Sequence, residues 1–139
     1  MVKPTDYILD CSTTMAWCFE DEVTPYTETM LTHLNHCSAH VPSIWYLEVA
    51  NVLLFAEKKG RITKVKASGF IETLRMLPIL HDDNAELAMS TTLEIARESS
   101  LTIYDASYLE LALRLNKPLA TLDKALRHAA KQCKVTVMA

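Results

Sequence analysis

Short aliphatic runs alternate along the chain with longer stretches of helical period. The runs at 7–9, 38–41, 77–80, 119–121 and 135–137 read as strands. Between them, apolar positions recurring every three to four residues predict helices over 14–20, 26–35, 43–59, 63–76, 85–98, 105–115 and 123–131. Boundary chemistry supports several of these. Ser43 after Pro42 and Thr63 stand where N-caps belong, and Gly60 follows Lys58 and Lys59 as a stop. Such alternation implies an α/β fold with a mainly parallel sheet of about five strands.

The 139 residues, 50% of them apolar, suffice for one sizeable core and are too few for two. No repeat, low-complexity tract or linker interrupts them, so a single domain over 1–139 is expected. Met-Val-Lys-Pro is not followed by the apolar core of a leader, and no apolar stretch approaches membrane-spanning length. Cys11, Cys18, Cys37 and Cys133 lie scattered among apolar neighbours without C-x-x-C spacing, as reduced cysteines do. The expectation is a soluble cytoplasmic protein without disulfides.

Charge adds a local detail. The net value is only −3, but Lys58, Lys59, Arg61, Lys64 and Lys66 cluster, and the chain from 114 onward is basic apart from Asp123. Local basic surface can engage phosphates on an acidic chain, although any one of these lysines is adequately explained as part of a solvated helix face.

The candidate chemistry lies in four acids set in or beside apolar segments: Asp10, Glu48, Asp105 and Asp123. A carboxylate taken out of water without a partner is costly, so it either takes up a proton or holds a cation. If the four converge, a shared divalent ion and metal-assisted hydrolysis follow. Asp10 and Asp123 fall at the carboxyl ends of predicted strands, where open parallel sheets bind ligands, and Asp105 opens a helix on the same rim. Three of the acids also have local explanations. Asp10 and Asp123 suit N-caps, and Thr102 to Asp105 has the form of a capping box. Glu48 has no such explanation: with Asn51 it forms a polar pair, three apart, on a helix apolar nearly all round and expected to be largely buried. A ligand or a buried polar network must face that pair.

Other chemistries fit poorly. His33, His36, Cys37 and His40 span a helix end and a strand, so their side chains diverge from a zinc geometry. No Ser or Cys occupies a nucleophile elbow, and two glycines cannot build a phosphate loop. An aspartyl phosphatase would need a second Asp two residues after Asp10, where Ser12 stands.

Ile8-Leu9-Asp10-Cys11-Ser12, Pro42-Ser43 to Glu48-Val49-Ala50-Asn51, Tyr104-Asp105-Ala106 with Tyr108-Leu109, and Ala120-Thr121-Leu122-Asp123-Lys124 together resemble the ordered acid signature of PIN-domain nucleases. The size and the ending Thr-Leu-Asp-Lys-Ala-Leu-Arg-His-Ala-Ala look most like VapC-type toxins of toxin–antitoxin pairs. Cys11 departs from the small residue usual there. The resemblance implies a three-layer α/β/α sandwich, a cluster of the four acids holding Mg²⁺ or Mn²⁺, cleavage of RNA such as tRNA or ribosomal RNA, silencing by a cognate antitoxin, and a homodimer. On that reading Asp10, Asp105 and Asp123 are metal ligands, and Glu48 is a water-mediated ligand or the base for the attacking water. Ser12, Asn51 and Thr121 orient the carboxylates, and Lys58, Lys59 and Lys64 contact RNA. The competing expectations are an RNA-processing nuclease outside a toxin pair and a non-catalytic interaction module that keeps the acids.

Overall fold

The computed structural model describes residues 4–138. Its strands are β1 (Tyr7–Leu9), β2 (Ala39–Pro42), β3 (Ile79–Asp82) and β4 (Leu119–Ala120). The helices are α1 (Cys11–Ala16), α2 (Pro25–His33), α3 (Ile44–Lys58), α4 (Lys64–Met76), α5 (Ala85–Ser99), α6 (Ile103–Leu115) and α7 (Lys124–Gln132), with a short 3-10 helix at Glu20–Glu22. The strands form one parallel sheet in the order β3-β2-β1-β4, flanked by the helices in an α/β/α arrangement. β1 pairs with β2 through Tyr7 and Ala39, and with β4 through Ile8 and Leu119. All three β1 residues are fully buried, as expected of a parallel strand covered on both faces. α6 packs against β1, β2 and β4 and contributes fully buried Leu109 and Leu111. Among the described residues no helix is long and apolar enough to cross a membrane.

Several boundaries depart from expectation, each for a visible reason. β3 begins at Ile79 and not Leu77, because Leu77 still donates to the Leu74 carbonyl as the C-cap of α4 and Pro78 has no N–H. The run at 135–137 contributes a single bridge, Val137 to Leu119, since the Val135 N–H is spent on the Ala130 carbonyl at the end of α7. α1 starts at Cys11, three residues before the expected start, because Asp10 caps it. α6 starts at Ile103, with the Thr102 hydroxyl accepting from the Asp105 N–H at 3.1 Å, so Asp105 lies in the first turn and does not open the helix. Ser43 occupies the cap position of α3 but makes no side-chain cap bond, whereas Thr63 does cap α4, and Gly60 at φ +71° ends α3 as expected.

The largest correction concerns α3, which is not largely buried. Trp45, Val49, Leu53 and Ala56 enter the core, while Leu47 stays 69% exposed, with Tyr46, Leu54 and Phe55 also exposed. The helix is amphipathic in position although not in composition: its outer face is apolar too.

Candidate active site

Two links fix α3 against the end of β1. The Trp45 indole N–H donates to the Thr14 hydroxyl at 3.0 Å, and that hydroxyl donates to the Asp10 carbonyl at 2.7 Å. Glu48, three residues beyond Trp45, is thereby held near Asp10. From the other side β4 lies beside β1, and the Asp10 N–H donates to the Ala120 carbonyl at 3.2 Å. The turn after β4 therefore delivers Asp123 to the same edge. Asp10, Glu48, Asp105 and Asp123, from four separate parts of the chain, line one open cleft of about 340 Å³ together with Cys11, Ser12 and Tyr108. Clefts of about 350 and 390 Å³ elsewhere hold none of these acids.

Asp10 is only 4% exposed, and its carboxylate is held by hydroxyls and a backbone amide, with no base among them. Ser12 donates to it at 2.8 Å, the Thr13 N–H at 2.9 Å as the cap of α1, and the Thr121 hydroxyl from across the sheet. Burial pushes its pKa up to about 6, against the pull of the Thr121, Thr13 and Ser12 donors. Thr121 also accepts from the Asp123 N–H at 3.0 Å, so one fully buried hydroxyl sets both acids. Asp123 caps α7 through Oδ1, which accepts from the Leu126 N–H at 3.1 Å. Capping and lining the cleft are thus not alternatives for Asp10 and Asp123: each residue does both.

Glu48 accepts a hydrogen bond from the Tyr108 phenol at 2.5 Å. Burial raises the pKa of Glu48, with the Tyr108 donor opposing and the Asp105 charge adding to the rise. Asp105 is raised as well, by burial first and then by the charge of Asp123. The Cys11 thiol, pushed up to about 12 by burial and by Glu48 and Asp10, is an inert neighbour.

Asn51 is exposed and does not line the cleft, and Lys58, Lys59 and Lys64 are exposed outside it. Tyr108 and Arg61 do line it, although the sequence had not singled out either as a site residue. The signal for Tyr108 was its place three residues after Asp105, on the same face of a helix.

The donor set fits a hard cation, because every acid oxygen in it suits Mg²⁺ or Mn²⁺ and no soft ligand is needed. Among the described residues no three carboxylate, imidazole or thiol groups are gathered closely enough to hold an ion directly.

This architecture, with acids from the end of β1, from α3 and α6 and from the turn after β4 at one sheet edge, is that of an α/β domain with an acid-lined cleft. The PIN domain family model matches residues 7–132, and the chain belongs to that family. Its fold is shared by PAE2754 from Pyrobaculum aerophilum, at 24% identity and a TM-score of 0.67, over 90% of this chain and 79% of that one. VapBC2 from Rickettsia felis, solved bound to a DNA fragment from their promoter, matches at 14% identity and a TM-score of 0.63, over 95% and 96% of the two chains. FitAcB from Neisseria gonorrhoeae matches at 16% identity and a TM-score of 0.60, over 96% of each chain. No curated protein sequence matches the chain.

Proposed function

We propose that the chain is a Mg²⁺- or Mn²⁺-dependent endoribonuclease, acting in the cytoplasm as the toxin of a type II toxin–antitoxin pair, with tRNA or ribosomal RNA as substrate. The observation that carries this reading is the convergence of Asp10, Glu48, Asp105 and Asp123 on one cleft at the carboxyl edge of a parallel sheet. PIN domains are in general nucleases, and the likeness in fold to VapBC2 and FitAcB supports the antitoxin partner. A homodimer accords with the apolar outer face of α3.

Asp10, Asp105 and Asp123 would hold the cation, partly through water that it retains, with Ser12, Thr13 and Thr121 keeping the Asp10 carboxylate in one orientation. When bound, the cation supplies Lewis acidity and offsets the negative charge of the phosphate. Glu48 engages Tyr108 through Oε1, which leaves Oε2 to take the proton of the attacking water. Its half-buried setting, which raises its proton affinity, suits that role.

The test is cleavage of a labelled RNA by the purified chain with Mg²⁺, with chelator, and in the Asp10→Asn variant. Cleavage should require the ion and fall at least about a hundredfold in the variant. Undiminished cleavage by Asp10→Asn sinks the assignment. If the wild type cleaves but no antitoxin-like protein binds it, the RNA-processing reading replaces the toxin reading.

A further inference from the structure

Among the described residues five carboxylates face the acid cleft, Glu22 among them, and the only basic side chain lining it is Arg61. Its guanidinium is stacked on Phe19, with the central carbon 3.8 Å from the ring centroid. Nη2 reaches the two Asp21 carboxylate oxygens at 2.7 and 2.9 Å and Glu22 Oε2 at 2.9 Å. The backbone is pinned too. Gly60, at φ +71°, turns the chain at the end of α3, and the Arg61 N–H returns to the Ala56 carbonyl at 2.8 Å. Nη1 and Nε make no hydrogen bond among the described residues, so half of the donor fork remains available beside the cleft.

A cation oriented from three sides, with free donors next to an acid-lined cleft, suits a phosphate better than a surface ion pair. We propose that Arg61 is a substrate-binding residue that grips a backbone phosphate of RNA flanking the scissile bond, using Nη1 and Nε, while Phe19 and Glu22 hold the guanidinium plane. This inference rests on the RNA-cleaving reading above. Asp21, whose side chain is 75% exposed and which does not line the cleft, competes with the phosphate for the same guanidinium.

The two possible roles of Arg61 predict opposite signs for Asp21. If the residue only ties the 3-10 helix to the end of α3, removing either partner loosens the site. If it grips a phosphate, removing Asp21 frees the guanidinium and strengthens binding.

The probe is a fluorescein-labelled single-stranded RNA of roughly 12 nucleotides, and the measurement is anisotropy in Mg²⁺ with Asp10→Asn as the uncleaving parent. Adding Arg61→Met should weaken binding about tenfold at about 0.1 M salt and reduce the salt slope by about 0.7. Adding Asp21→Asn should tighten binding about two- to threefold. In the cleaving protein, Arg61→Met should raise KM with little change in kcat, and Arg61→Lys should recover part of the loss. Thermal melts of each variant check that it is folded. Unchanged affinity in Arg61→Met, or equal weakening in Arg61→Met and Asp21→Asn, overturns the assignment while leaving the nuclease reading standing. A parent that binds no RNA overturns both.

Discussion

Tyr108 donates its phenolic hydrogen to Oε1 of Glu48 at 2.5 Å, joining side chains 60 positions apart in the sequence. The bond ties α6 to α3 across the cleft and fixes which oxygen of Glu48 stays free. Tyr108→Phe keeps the ring in the core and removes only this donor. Cleavage should fall about tenfold, and stability by about 1 kcal/mol, read from kcat and from urea unfolding. Unchanged kcat would show that Glu48 needs no such orientation.

Thr121 is a second single-atom test. Its hydroxyl serves Asp10 and Asp123 together and is fully buried. Thr121→Val preserves the volume but leaves the Asp123 N–H without its partner and Asp10 Oδ2 with the Ser12 hydroxyl as its remaining donor. The expected loss is about 2 kcal/mol, with greatly reduced cleavage even at temperatures where the variant is folded. Thr121→Ser should retain most of both, which separates the hydroxyl from the methyl group.

Acid stability should depend on Arg114, which makes two bonds to Asp82, at 3.0 and 2.8 Å, and reaches Glu110 at 2.8 Å. Arg114 holds the Asp82 carboxyl below its ordinary range. A depressed folded pKa means the contribution is complete above the unfolded value, about 3.9, and is lost as pH falls through the lower folded value. Asp82→Asn should therefore cost about 1–2 kcal/mol at neutral pH, and that difference should shrink below about pH 4. Urea titrations at several pH values check this; a difference that grows on acidification would reverse the sign.

The exposed lysines at 58, 59 and 64 give a separate electrostatic expectation. Replacing all three by Gln should weaken RNA binding irrespective of sequence and reduce the salt slope by about 2, at about 0.7 per phosphate contact on single strands. Filter binding across a salt series measures it, and an unchanged slope assigns these residues to solvent alone.

The sheet and most helices were legible in the pattern of the chain because the β1 and β4 runs and the helix periods reflect burial directly. Errors fell where backbone hydrogen bonds, invisible in composition, decide the boundary, as at Leu77 and Val135. The acids could be recognised as out of place, but not how the local and the shared roles combine. Asp10 and Asp123 read as caps or as site residues, and in the fold each caps a helix while also lining the cleft. Asn51 misled because an apolar sequence does not reveal which face of α3 stays outside. Arg61 reaches the cleft only through the Gly60 turn and the Phe19 ring, a relation among distant residues that no local pattern carries.

The strand order has a consequence for synthesis. β1 is the first strand made and β4 the last, yet they are neighbours, and the fourth acid follows β4. A growing chain carries Asp10 and Glu48 well before Thr121 can reach across to Asp10. Until that late strand docks, Asp10 lacks a donor and the cleft lacks a wall. The order of synthesis thus completes the acid cleft last, and a chain that lacks β4 and the turn after it lacks both Asp123 and the Thr121 hydroxyl that sets Asp10.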